Sequence, residues 1–252
     1  MSFEGQTIIV TGGSEGIGFA TARRLAAGGA HVALFSRRPY VLEAAAEAIR
    51  AAGGSAETAS LDVAETDKLV AAIRGVAARR GRLDGLVNNA FESVHGLITE
   101  TSQADWRRSF EVNVEAPFIA IQTALPIMAA RRRGSIVNIA SLSGVRARPA
   151  SAAYAASKAA IIHLSAIAAV EAAEAGVRVN TVIPGATNSA SWKRAVAERP
   201  EINVQGAIQQ IPLGRLAEPE DVAKAVCFLL SDEAEFITGA ELRAEGGAYW
   251  RR

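Results

Sequence analysis

Cysteine is almost absent. Cys227 is the single one among 252 residues, so no disulfide framework can form within the chain, which fits a reducing compartment. Its place in the apolar run Val222 to Leu230 reads as a packed thiol, not a nucleophile or ligand. Histidine is scarce too, with three copies. His31, His95 and His163 stand in no H-E-x-x-H or cysteine-cluster pattern, so no metal is expected. Net charge is nearly nil, with 27 basic against 26 acidic residues. That balance gives no electrostatic reason to expect nucleic acid or an anionic membrane as partner. Arg131 to Arg133 read as solvated cations at the negative end of a helix dipole. A basic-then-apolar leader is missing, and the longest uncharged apolar stretch, near Ala159 to Val170, reads as too short to span a bilayer. A soluble, cytoplasmic protein is expected. Repeats and low-complexity tracts are also absent.

Glycine, by contrast, is placed with purpose. Thr11-Gly-Gly-Ser-Glu-Gly-Ile-Gly18 directly follows the β-branched run Thr7 to Val10 and directly precedes a helix-periodic segment from Phe19. Strand, glycine turn and helix in that order bring backbone N–H groups and a helix N-terminus against phosphates. Gly12 would permit the tight turn, Gly16 the close approach of a pyrophosphate, and Gly18 close packing of helix on strand. Ser14 and Ile17 belong to the same phosphate-facing loop. The spacing is G-x-x-x-G-x-G, not the commoner G-x-G-x-x-G.

Tyr154 and Lys158 stand four residues apart, with Ser141 thirteen residues before Tyr154. Positions i and i+4 share one helical face. A free phenol ionises near pH 10, and a fixed cation beside it favours the phenolate. Ser141 would hold the oxygen whose proton Tyr154 gives or takes. An Ala-rich helix also places Tyr and Lys at this spacing for packing alone, so the context decides.

Half of the residues are apolar, enough to bury a large core. Strand-like runs near 7–11, 31–36, 56–60, 84–89, 135–140, 177–183 and 236–243 alternate with helical periods at 16–29, 39–53, 65–80, 103–132, 152–176 and 219–231. Regular alternation predicts an α/β fold: a Rossmann-type doubly wound parallel sheet in three layers, one domain over 1–252. The polar, weakly periodic stretch 184–214 is expected to be an excursion over the active site.

Taken in order, Thr11 to Gly18, Asp62-Val63, Asn88-Asn89-Ala90, Asn113, Ser141, Tyr154 with Lys158, and Pro184-Gly185 resemble the short-chain dehydrogenase/reductase family. The likeness continues through Ile211 to Val222, Ile237 to Gly239 and Gly246-Gly247, features that the 3-oxoacyl reductase and related alcohol dehydrogenase branches share. The resemblance implies hydride transfer between a nicotinamide cofactor and a carbonyl or secondary alcohol. Tyr154 would be the acid/base, and Ser141 would orient the substrate oxygen. Lys158 would lower the Tyr154 pKa and bond the nicotinamide ribose, while Asn113 holds a water leading from Lys158 to solvent. It further implies that Asp62 and Val63 flank the adenine and that Asn88, Asn89 and Ala90 pass beneath the ribose. Pro184 and Gly185 would sit beside the nicotinamide, with Thr187 and Ser189 at its carboxamide. A homotetramer (or dimer) built on the Asn113 and Tyr154 helices is implied as well. Phe91 departs from the pattern, standing where the family has glycine. The loop is therefore reshaped or the ring is a pocket wall.

Cofactor choice turns on the end of the second strand. An acidic side chain there would bond a ribose 2′-hydroxyl, whereas this chain has Ser36, Arg37 and Arg38, donors suited to a 2′-phosphate. NADP(H) is expected, with NAD(H) as the alternative. Glu15 opposes this, since NADP-preferring relatives often carry a basic residue there; it is expected to pair with Arg37 or to weaken phosphate binding. The substrate is read as a small molecule, a ketone or 3-oxoacyl compound. Phe91, Val94, Trp192 and Ile202 are candidate apolar walls, and His95 reads as a surface or loop-bonding histidine, with substrate contact as the alternative. Two other readings stand: an NAD-dependent dehydrogenase of a sugar, steroid or other secondary alcohol, and a non-catalytic cofactor-binding protein.

Overall fold

The computed structural model describes residues 1–200 and 202–251. Its strands are β1 (Thr7–Thr11), β2 (His31–Ser36), β3 (Ser55–Ser60), β4 (Gly85–Asn88), β5 (Gly134–Ile139), β6 (Val177–Pro184) and β7 (Glu241–Ala244). They form one parallel sheet in the order β3-β2-β1-β4-β5-β6-β7. Each parallel connection needs a crossover, and the helices supply it: α1 (Gly16–Ala27), α2 (Pro39–Ala51), α3 (Thr66–Arg80), α4 (Gln103–Phe110), α5 (Ala116–Ala129), α6 (Ala152–Ala173), α7 (Ala190–Glu198), α8 (Val204–Gln209) and α9 (Pro219–Leu230).

The central strands are buried on both faces, which is why they read as β-branched runs without polar alternation. Ile8, Val10, Val32 and Leu34 point into one core with α1, α2 and α9. Their neighbours Ile9, Ala33 and Phe35 point into the other, with α3, α5 and α6. Each fully buried Leu or Ile contributes roughly 1.5–3 kcal/mol of transfer free energy. The result is the three-layer doubly wound fold expected from the alternation.

Four departures from the sequence reading are instructive. The long helix expected over 103–132 is interrupted by a five-residue π-helical turn, Glu111–Glu115. Pro117 has no N–H to give the carbonyl of Asn113 four residues earlier, so one α-type hydrogen bond is missing where the π turn meets α5. The last strand begins at Glu241, not 236. Gly239 lies in the left-handed region at φ +73 and donates to the Val179 carbonyl at 2.8 Å, which turns the chain into the sheet edge. The stretch 184–214 carries two helices, α7 and α8, neither with a buried residue. Finally, α6 spans 22 residues and is long and apolar enough by length and composition to cross a membrane. The uncharged stretch read from sequence understated it, because Lys158 and Glu171 lie within the helix. One face of α6 packs Ile161, Ala168 and Ala172 into the domain.

Candidate active site

The strand order reverses between β1 and β4, and the crevice opens at their carboxyl ends, where such folds place ligands. Gly12 sits there at φ +63, a conformation only glycine adopts cheaply, and a Cβ on it would meet Asn89 Nδ2 at 2.7 Å. Gly18 has no special dihedral need; a Cβ on it would fall 2.3 Å from the Gly12 carbonyl oxygen. Helix and turn are thus pressed together, and the first amides of α1, at Gly16, Ile17 and Gly18, have neither a capping side chain nor an acidic residue in the first turn. Unpartnered donors at a helix N-terminus beside a side-chain-free cradle fit the diphosphate of a dinucleotide.

Asn88 and Asn89 lie at this edge but spend their side chains inward. Asn89 Nδ2 donates to the carbonyls of Thr11 at 3.0 Å and Gly12 at 3.1 Å, stapling the glycine turn. Asn88 donates to Asn138 at 2.8 Å, which in turn donates to Ser165 at 2.8 Å. Ala90 gives its N–H to the Thr11 hydroxyl at 3.1 Å. Thr11, not singled out from sequence, is the hub of this loop.

Ser141, Tyr154 and Lys158 come together at the end of β5 and the start of α6. Ser141 lies two residues beyond the end of β5 and caps a short 3-10 turn, accepting the Ser143 N–H at 3.1 Å. Lys158 is buried, and its Nζ donates to the Ile139 carbonyl at 2.8 Å while standing 5.9 Å from the Tyr154 ring centre. Burial pushes the Tyr154 phenol above its ordinary value, with the Ser141 hydroxyl pulling it back. Burial alone takes the Lys158 ammonium down to about 7. In this arrangement desolvation sets the direction at both groups. Gly144 fixes the spacing: a Cβ there would strike the Lys158 carbonyl carbon at 2.8 Å.

Asn113 occupies the π-helical turn. Its Nδ2 donates to the Glu92 carbonyl at 2.8 Å and to Ser157 Oγ at 2.9 Å, and its Oδ1 accepts the Glu92 N–H at 2.8 Å. Both amide protons are used, while Oδ1 keeps a second lone pair. The side chain braces the β4 loop against α6. Ser157 passes the brace on, donating to the Tyr154 carbonyl at 2.8 Å.

At the end of β2, Ser14 and Ser36 hydroxyls lie 2.9 Å apart. Arg37 and Arg38 diverge. Arg37 faces Glu92 at 3.6 Å and Asp62 at 4.0 Å, whereas Arg38 pairs with Glu15 at 2.8 Å. Glu15 thus takes Arg38, not Arg37, because successive side chains on extended backbone point to opposite sides. Asp62 accepts the Ala64 N–H at 3.0 Å and also pairs with Arg108. Burial would raise its carboxyl, but the Ala64 N–H and Arg108 more than offset this and hold it below the usual range. Val63 is buried beside it. Glu92 and Arg108 are charged residues that spacing alone did not mark.

At the end of the neighbouring strand, Pro184 closes β6 and the Gly185 N–H donates to the Ala244 carbonyl at 3.1 Å. Thr187 donates to the Gly185 carbonyl at 3.0 Å, and Ser189 caps α7 by accepting the Trp192 N–H at 3.2 Å. Phe91 is not among the left-handed residues. Its ring lies 6.4 Å from that of Tyr154 and 5.9 Å from Lys158 Nζ, the position of a pocket wall. His95 also comes to this cleft, 6.3 Å from Tyr154 by ring centres, and burial lowers its pKa, helped by Arg199. A groove of about 650 Å³ lies elsewhere, on the outer face of α4, the π turn and α5, lined by Trp106, Phe110, Val114 and Phe118 with Leu164 of α6.

A family model described as enoyl-(acyl carrier protein) reductase matches residues 12–249. The chain is 38% identical over 245 residues to 2-(S)-hydroxypropyl-CoM dehydrogenase 3 of Xanthobacter autotrophicus, covering 96% of each. It is 34% identical over 247 residues to the 3-oxoacyl-[acyl-carrier-protein] reductase FabG of Thermotoga maritima, covering 98% of this chain and 99% of that one. The structure of a short-chain type dehydrogenase/reductase from Mycobacterium ulcerans superposes with a TM-score of 0.93 at 34% identity, covering 100% of this chain and 92% of the other.

Proposed function

Because the chain belongs to the short-chain dehydrogenase/reductase family, and so is an NAD(P)-dependent oxidoreductase of CH–OH groups, we propose that it uses NADP(H) to interconvert a ketone or 3-oxoacyl carbonyl with its secondary alcohol. The observation that carries the cofactor reading is the end of β2, where Ser36 and Arg38 stand with the Ser14 hydroxyl and no acidic residue follows the strand. Hydroxyl and guanidinium donors suit a dianionic 2′-phosphate.

When bound, the nicotinamide supplies or accepts the hydride. Tyr154 gives its proton to the substrate oxygen in reduction and removes it in oxidation. Ser141 donates a hydrogen bond to that oxygen and orients it. Lys158 presents its ammonium beside the phenol and the ribose side of the cleft, and Asn113 keeps α6 in register with the β4 loop. Phe91 forms an apolar wall of the cleft beside Tyr154. A raised phenol favours the protonated acid that reduction needs. The groove over α4 and α5, with Ile167 and Val170 exposed on α6, suits a second copy of this chain in a homotetramer or dimer; sedimentation should give a multiple of 26.3 kDa. A cytoplasmic location fits the lone buried Cys227, whose thiol burial raises to about 11.

Titrating the protein with NADPH and with NADH, followed by nicotinamide fluorescence, tests the cofactor reading. Tighter binding of NADPH is expected. Tighter NADH would overturn it and bring forward alcohol oxidation with NAD.

A further inference from the structure

The excursion helix α7 is held to the domain by remarkably little side-chain chemistry, and what holds it ends on the cofactor loop. None of its residues is buried. Among the described residues, its only side-chain hydrogen bonds to another element run from Arg194 to Glu15, with Nη1 to Oε2 at 3.0 Å and Nη2 to Oε1 at 2.5 Å. Glu15 is the residue preceding α1 in the glycine loop. Its other partner is Arg38, at 2.8 Å from Oε2. A Cβ on Gly16 would touch Ser189 Cβ at 3.4 Å, so the start of α7 is seated on the same loop. One carboxylate therefore lies between the guanidinium facing the adenosine 2′ position and the guanidinium of the helix above the substrate cleft.

We propose that Glu15 is a positioning residue that couples the 2′-phosphate of the cofactor to closure of α7 over the substrate. This rests on the NADP(H) reading of Arg38. A phosphate dianion at Arg38 competes with Glu15 for that guanidinium and repels the carboxylate. Glu15 then has Arg194 as its one cationic partner, and the bond holding α7 tightens. A cofactor with a bare 2′-hydroxyl leaves the carboxylate divided between the two arginines, and α7 stays looser. Glu15 thus opposes 2′-phosphate binding to some degree while making the helix respond to it. Both guanidiniums are half-exposed, so the change is modest.

The test is hydrogen–deuterium exchange of the α7 peptide, residues 189–199, with NADPH and with NADH, each saturating. The wild-type peptide should exchange more slowly with NADPH. Glu15→Gln and Arg194→Gln should each erase that difference by removing opposite ends of one pair. Glu15→Gln should also strengthen NADPH binding about two- to fivefold relative to NADH, the range for an exposed charge pair. Arg194→Gln should raise exchange of α7 with either cofactor. Equal exchange of wild-type α7 with both cofactors, or a difference that survives in both variants, would overturn the coupling. Because both cofactors are compared at saturation, tighter NADH binding would sink the NADP(H) reading without deciding the exchange result.

Discussion

The edge where β1 meets β4 and the segment carrying α7 and α8 both border the same cleft, yet they are built on opposite terms. At the edge, Gly12, Gly18, Asn89 and Thr11 leave no slack: two glycines exist because a methyl group would meet Asn89 or a carbonyl oxygen within 2.7 Å. In the other segment neither helix buries a residue, and among the described residues the side chains of α7 hydrogen-bond the rest of the domain through one ion pair. Fixed backbone amides suit a ligand part common to all dinucleotides. A loosely attached helix suits a substrate that must enter and leave.

The largest expected effect lies at the fixed side. Tyr154→Phe should reduce turnover by about 10²–10⁴-fold, the usual worth of a positioned acid/base, with nicotinamide affinity changed little. Turnover within tenfold of wild type would show that another group moves the proton. Gly18→Ala forces a methyl onto the Gly12 carbonyl and should destabilise the fold by about 1–3 kcal/mol in urea unfolding, with dinucleotide binding lost. An unchanged unfolding midpoint would mean that the glycine turn yields more easily than its packing implies.

Lys158 sharpens the same contrast by pH. Its folded value, about 7, lies below the ordinary 10.5, so the unfolded chain binds the extra proton between those values. Stability therefore rises with pH across this window, is fully present above 10.5 and is lost as pH falls through about 7. The unfolding free energy of wild type minus that of Lys158→Met should grow from pH 7 to 9; a flat difference would show that the ammonium is accommodated without penalty. At the loose end, Trp192→Ala on α7 should shift stability by no more than about 0.5 kcal/mol. It should raise the KM of the carbonyl substrate more than it lowers kcat. A large loss of stability would mean that α7 is part of the core after all.

Much of the site was legible because its residues work at fixed sequence distances. Ser141, Tyr154 and Lys158 belong to one strand end and one helix turn. Gly12 and Gly18 announce themselves by where they stand between strand and helix. The roles of charged groups were less legible. Nothing in the spacing shows that Asn113 bonds Glu92 and Ser157, 21 and 44 residues away. Glu15 was set against the wrong arginine, since the neighbours Arg37 and Arg38 differ only in the side to which extended backbone turns them.

The order of elements, the glycine loop, the spacing of Ser141, Tyr154 and Lys158, and the family follow from the sequence alone. Local periodicity and short spacings decide each of them, and the chain carries both in one dimension. The partner of Glu15, 179 residues away at Arg194, was decided only by the tertiary structure. So were the π-helical turn's brace to the β4 loop, Phe91 as a wall beside Tyr154, and the net direction of the Tyr154 and Lys158 shifts. Burial and long-range charge pairing depend on which distant segments the fold brings together, and no local pattern records that.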